Sequence, residues 1–114
     1  MAHVLVTGAS GFIGLALTRA LAARGDRVTG LDRLIAPGLA ELASRHENVS
    51  ARVCEMTEWQ ALVEAFKNDT PDAVIHCAAV VGVLASAQMP LTTMRVNVEG
   101  SLNLFEAARL FGVP

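Results

Sequence analysis

The sequence predicts an α/β fold: a doubly wound parallel sheet of four strands in the order 3-2-1-4, with helices on its faces. Three observations predict it. Short apolar runs alternate with helical periodicities along the whole chain, giving β-α-β-α-β-α-β-α with crossover helices. The first run, Val4 to Val6, is apolar without alternation, as in a strand buried on both faces of a parallel sheet. That run leads straight into glycines at a fixed spacing, Gly8, Gly11 and Gly14, and then into a helical pattern.

Each glycine has a reason. Gly8 lets the chain turn sharply off the strand, because without a Cβ it can adopt positive φ. Gly11 lets backbone N–H groups approach a ligand, and Gly14 lets the first helical turn pack tightly on the strand. The product is a helix N-terminus with unpaired donors and a partial positive charge at the carboxyl edge of the sheet, which suits a pyrophosphate. Glycines at this spacing are weak evidence alone; the flanking strand, the helix and a later acid strengthen them. The helix is expected over Phe12 to Arg24, with Ile13, Ala16, Leu17, Ala20 and Leu21 on one face, Thr18 and Arg19 on another, and Gly25 as its stop. A second strand, Arg27 to Leu31, ends at Asp32, eighteen residues beyond Gly14. There an acid would hold the ribose hydroxyls of an adenosine.

The remaining elements follow in order. Leu34 to Gly38, with Pro37, reads as a turn before a short helix carrying Leu39, Leu42 and Ala43. Asn48 to Cys54 reads as a third strand, half exposed at an edge, because Val49, Ala51 and Val53 alternate with Ser50 and Arg52. Thr57 and Gln60 form a capping box ahead of an amphipathic helix with Trp59, Leu62, Val63 and Phe66 on one face. A cofactor role for Trp59 is open, but core packing is the better reading. Lys67 to Asp72 is a loop, Ala73 to Ala79 a fourth strand running into small residues, and Val80 to Pro90 a loop without structural signal. A long helix is expected from Leu91 to Phe111. One apolar stripe is Met94, Val98, Ser101, Phe105 and Ala108; a second is Val96, Gly100, Leu104, Ala107 and Phe111. One stripe can cover the sheet, and the other calls for more chain or another subunit.

Bulk properties narrow the class. A chain of 114 residues implies one domain. Hydrophobic residues make up 53% and mean hydropathy is +0.44, yet no apolar run reaches the roughly 20 residues of a membrane span. No signal peptide is evident. Net charge is −2 with no basic tract, so neither nucleic acid nor membrane is an expected partner. The strands carrying Cys54 and Cys77 would lie roughly 14 Å apart, too far for a disulfide. Reduced thiols and a cytoplasmic location are expected. The three histidines and two cysteines show no metal-ligand spacing.

Three segments resemble the extended short-chain dehydrogenase/reductase family of NAD-dependent epimerases and dehydratases, many of which act on nucleotide sugars. They are Thr7-Gly8-Ala9-Ser10-Gly11-Phe12-Ile13-Gly14, Pro71-Asp72-Ala73-Val74-Ile75-His76-Cys77-Ala78-Ala79, and Asn97 to Arg109. The resemblance implies a truncated Rossmann-type dinucleotide-binding domain over 1–114. Gly8, Ser10, Gly11, Phe12, Ile13 and Gly14 would hold the pyrophosphate, mostly through backbone donors. Asp32 would bind the adenosine ribose, and Glu55 and Met56 would address the adenine. Glu55 departs from the family's usual Asp by one methylene. Ala78, Ala79 and Val80 would flank the nicotinamide ribose. Asn97 matches a helix asparagine near the family's active site; a polar residue capping the buried arc is the competing reading.

Asp32 and Arg33 bear on cofactor choice. A carboxylate accepts from a 2′-hydroxyl and repels a 2′-phosphate, while Arg33 would neutralise that phosphate or stack on adenine. Two charges about 4 Å apart interact by roughly 4 kcal/mol at an effective dielectric near 20, so a carboxylate–phosphate clash is hard to offset. NAD is expected over NADP.

The resemblance also implies a catalytic tyrosine with a lysine four residues on, and the sequence contains no tyrosine. It ends where the family would enter a fifth strand. The chain alone is therefore expected to be inactive, to bind dinucleotide weakly, and to self-associate through the 91–111 helix or the exposed edge of the fourth strand. Three readings remain: part of an epimerase/dehydratase-type oxidoreductase whose small-molecule substrate is met only by a longer parent, a stand-alone non-catalytic dinucleotide-binding module, or a structural remnant that binds nothing. The intact phosphate turn and Asp32 disfavour the last.

Overall fold

A computed structural model describes residues 1–114. Four parallel strands, β1 (His3–Thr7), β2 (Arg27–Asp32), β3 (Val49–Val53) and β4 (Ala73–His76), form one sheet in the order β3-β2-β1-β4. All five residues of β1 are buried, as its unbroken apolar run requires. Its side chains alternate between two cores. Val4 and Val6 join Val28 and Leu39 under α1 (Phe12–Ala23) and α2 (Pro37–Arg45). Leu5 joins Leu31, Leu62, Phe66 and Leu104 under α3 (Trp59–Asn68) and α6 (Gly100–Leu110). Side chains such as Leu5, Leu62 and Phe66, fully buried, each contribute about 1.5–3 kcal/mol.

Several elements depart from the sequence reading, each for a physical reason. In α1 the buried residues are Gly14, Thr18 and Ala22, whereas Ile13, Ala16 and Ala20 face solvent. Backbone contact sets this roll. A Cβ on Gly14 would sit 2.1 Å from the Gly8 carbonyl oxygen, so only a glycine face can approach the turn. Thr18 tolerates burial because its hydroxyl donates to the Gly14 carbonyl (2.8 Å). Gly8 and Gly25 both have positive φ, as the turn and the helix stop demand.

Pro37 and Gly38 belong to α2 rather than to a turn; proline is preorganised for a first helical position. The capping box at Thr57 does not form. Glu58 is the N-cap, no side chain caps the helix, and α3 begins at Trp59. Trp59 at that first position is 38% exposed, so it is not the core residue expected, and Leu62, Ala65 and Phe66 fill that place. Strand β4 ends at His76, and Cys54 and Cys77 follow their strands rather than lying inside them. Both are free thiols.

Residues 80–90 are not a structureless loop: α4 spans Val83–Gln88. The last helix is one run in three parts: α5 (Pro90–Met94), a π-helical turn (Arg95–Glu99), and α6. Within it the Gly100 N–H donates to the Arg95 carbonyl, five residues back. One extra residue in that turn shifts the phase of every side chain beyond it. Gly100, Leu104 and Ala107 of the second stripe are buried. The first stripe is broken. Ser101 turns inward, and Leu91, Met94, Val98, Leu102 and Phe105 remain exposed.

The Gly14→Ala variant is expected to lose about 3 kcal/mol or more of stability in urea unfolding, because backbone rather than a movable side chain blocks the new methyl. Ala16→Ser, on the exposed face of the same helix, is expected to change it by about 0.5 kcal/mol or less.

Candidate functional site

The carboxyl ends of all four strands converge on a cleft of about 580 Å³. Its floor is Gly8 and Gly11 of the β1–α1 turn. One side is Asp32, the last residue of β2, and Arg33 beyond it, with Glu55 and Met56 after β3; the other is Ala78, Ala79 and Val80 after β4. The outer wall comes from α4 and the start of the last helix, through Ala85, Met89, Thr92 and Val96.

Gly11 is the N-cap of α1 and offers no side chain to close the helix end. The N–H groups of Phe12, Ile13 and Gly14 make no hydrogen bond within the chain. Of the turn and the helix start only Gly8 and Gly11 line the cleft; Phe12, Ile13 and Gly14 do not, and their three free donors, with the positive end of the helix dipole, follow directly behind Gly11. The Phe12 side chain is 96% exposed and Ile13 is also exposed, so these residues offer backbone rather than buried side chains. Ser10 differs from that expectation. Its N–H is already given to Asp32 Oδ2 (3.0 Å). Its hydroxyl donates to the Leu34 carbonyl (2.8 Å) and accepts from the Ala36 N–H (3.0 Å), fastening the phosphate turn to the loop after β2.

Asp32 is thereby held against the turn by one carboxylate oxygen, while Oδ1 makes no bond within the chain. Arg33 is exposed, forms no ion pair and lines the same cleft. Glu55 is half-buried. Met56 is buried, with its carbonyl accepting from Asn103 Nδ2 (3.0 Å) and its Cβ against Gly100.

Asn97 does not line the cleft. Its side chain makes a two-bond clamp on Val80, accepting from the Val80 N–H (2.7 Å) and donating to the Val80 carbonyl (3.0 Å). It fixes the cleft wall rather than capping the helix arc. Burial raises the pKa of both thiols, Cys54 and Cys77, so neither is poised as a nucleophile.

Sequence reasoning missed Thr7 and His76. The Thr7 hydroxyl accepts from the Cys77 and Ala78 N–H groups (3.0 and 3.1 Å) and meets His76 Nδ1 (2.6 Å). The far side of that ring meets Ser101 Oγ (2.9 Å). The available signal was a serine within an otherwise apolar stripe. The contribution of α4 to the wall carried no signal in the sequence.

Comparison with known proteins agrees with this architecture. A profile of the NAD dependent epimerase/dehydratase family matches residues 4–114. The UDP-glucose 4-epimerase of Mycolicibacterium smegmatis is 41% identical over 97% of this chain and 36% of its own length. The structure of the Thermus thermophilus UDP-glucose 4-epimerase complex with NAD superposes with a TM-score of 0.81 at 37% identity, covering 97% of this chain and 35% of that one. The UDP-Glc/GlcNAc 4-epimerase from Campylobacter jejuni gives a TM-score of 0.90 at 25% identity, covering 99% of this chain and 35% of that one. The chain spans about a third of the length of the curated relatives it matches, between 30% and 37%. It belongs to the NAD-dependent epimerase/dehydratase family.

Proposed function

We propose that the cleft binds NAD, in preference to NADP, as the dinucleotide-holding portion of an epimerase/dehydratase-type oxidoreductase. The observation that carries this is the pairing of three unbonded amides, at Phe12, Ile13 and Gly14, with the free oxygen of Asp32 on the neighbouring strand. The amides suit a pyrophosphate and the carboxylate suits a ribose diol. Gly8 and Gly11 leave the floor open, and Gly8 has no room for a Cβ, which would lie 2.7 Å from the Ala78 nitrogen. Glu55 and Met56 would border the adenine, and Ala78, Ala79 and Val80 the nicotinamide ribose.

The nicotinamide, when bound, supplies the hydride acceptor. This chain's residues bind and orient it; with no tyrosine they lack the general acid/base of the family's Tyr-x-x-x-Lys pair, so the 114 residues alone bind without turnover. In a longer parent the substrate would be a nucleotide sugar, the class named for the similar epimerases, or a related polyol. The free thiols suit a reducing compartment such as the cytoplasm, and no helix is long and apolar enough to cross a membrane.

The exposed row Leu91, Met94, Val98, Leu102 and Phe105, with β4 paired on one side only, supports self-association as the state of this chain.

NAD at ten times its Kd is expected to stabilise the fold by about 1.4 kcal/mol, a Tm rise of roughly 5 °C, with a smaller rise for equal NADP. Asp32→Ala is expected to weaken NAD at least tenfold and erase the preference. An equal or larger shift with NADP would refute the cofactor choice, and no shift with either would refute dinucleotide binding. In light scattering at high micromolar concentration the chain is expected above monomer mass, with Phe105→Glu returning it toward monomer; a monodisperse wild-type monomer would contradict the association.

A further inference from the structure

The contacts of His76 fix its proton. Thr7 Oγ1 has two lone pairs and one hydrogen. The Ala78 N–H takes one lone pair and the Cys77 N–H, shared with the Thr7 carbonyl (3.1 Å), takes the other, so the hydrogen goes to His76 Nδ1; Ser101, which gives its own hydrogen to the Asn97 carbonyl, can only accept from Nε2 and requires the same tautomer. The ring is then an acceptor at Nδ1 and carries its proton on Nε2, which donates to Ser101 Oγ (2.9 Å). Ser101 in turn donates to the Asn97 carbonyl (2.6 Å), inside the π-helical turn. Every step points the same way, from beside the phosphate turn to the last helix. Asn97 holds Val80 by both backbone groups, and its neighbour Val96 faces the cleft.

We propose that His76 is a positioning residue for the cleft: as the neutral Nε2–H tautomer it transmits one directed run of hydrogen bonds from Thr7 through Ser101 to Asn97, and so sets the π-helical turn and the wall residue Val80.

A second proton on the ring breaks the run, because Nδ1–H would confront a hydroxyl whose lone pairs are already taken. No charge nearby favours that proton. On β1 the one titratable side chain, His3, is bonded to Thr29 at the opposite end of the strand. Arg95 and Glu99 of the π-helical turn are exposed, and Glu106 and Arg109 of α6 pair with each other. The adjacent Cys77 is neutral, its thiol pushed up by burial. Burial alone acts on His76 and lowers its pKa below the usual 6.5. The unfolded chain therefore takes the proton first as pH falls below about 6.5, and the native state loses stability from there downward, not above it. The effect on dinucleotide affinity rests on the function proposed above; the tautomer and the wall geometry do not.

The test uses the full chain, labelled with ¹⁵N and free of dinucleotide, across pH 8 to 5. The His76 ring nitrogens are expected as a bare Nδ1 and a protonated Nε2, with protonation at lower pH than in free imidazole. A protonated Nδ1 at pH 8, or titration like free imidazole, would overturn the proposal. Ser101→Ala cuts the run while leaving the ring in place. It is expected to move the Asn97 side-chain and Val80 amide resonances and to weaken NAD about fivefold, with Ser101→Thr restoring both. Unmoved Asn97 and Val80 resonances in the alanine variant would overturn the proposal. Wild-type protein that shows the expected tautomer and resonance changes but takes no NAD would uphold the run and refute the dinucleotide reading instead.

Discussion

The rest of the structure depends on the meeting of two backbones, at Gly8 and Gly14. With 2.1 Å between the Gly8 oxygen and any Cβ at Gly14, the first helix reaches the strand only where it has no side chain. That contact rolls α1 so that Thr18 and Ala22 follow Gly14 inward, and it brings the open end of the helix to the mouth of the cleft. Packing and binding are therefore one constraint. A helix held off by a methyl group would leave its amides facing water, beyond the reach of whatever Asp32 holds.

Around this contact several other polar groups of the cleft are already committed. Ser10 gives its amide to Asp32 and its hydroxyl to the loop after β2. Thr7 gathers the Cys77 and Ala78 amides, and Asn97 takes both backbone groups of Val80. Buried polar groups are costly when unpaired, so this saturation makes the walls rigid. The capacity that remains includes what phosphate and sugar chemistry need: the first three amides of α1, Oδ1 of Asp32 and the unpaired Arg33, with the unpaired Glu55 carboxylate along the same wall. A cleft so arranged discriminates by what is left unsatisfied.

The sheet and its order are legible because short-range signals set them. An unbroken apolar run, glycines in a strict spacing, and an acid closing the next strand are local patterns, and β1, β2 and the α1 terminus all stand where those patterns put them. What escapes the sequence is what depends on neighbours far along the chain. Hydrophobic periodicity misjudges the buried face of α1 because it counts large side chains, whereas close approach of backbone selects the small ones. It misjudges the phase of the last helix because a π-helical turn adds a residue with no compositional mark. Its spacing points Trp59 at the core, yet the residue lies at the first position of α3, where one side faces solvent. At the site, Asp32 and the glycines are readable one by one. The double role of Ser10 and the His76 contacts join residues 22 to 69 positions apart, and no window on the sequence spans them.

The central claim is that the amides opening α1 receive a diphosphate while Asp32 receives a ribose. Backbone amide resonances followed during titration with NAD test it most directly. The account predicts that the largest downfield movements fall on Phe12, Ile13 and Gly14 and saturate together with movements beside Asp32, whereas residues on the outer face of α2 stay still. Saturable changes confined to another surface, with those three amides unmoved, would contradict it.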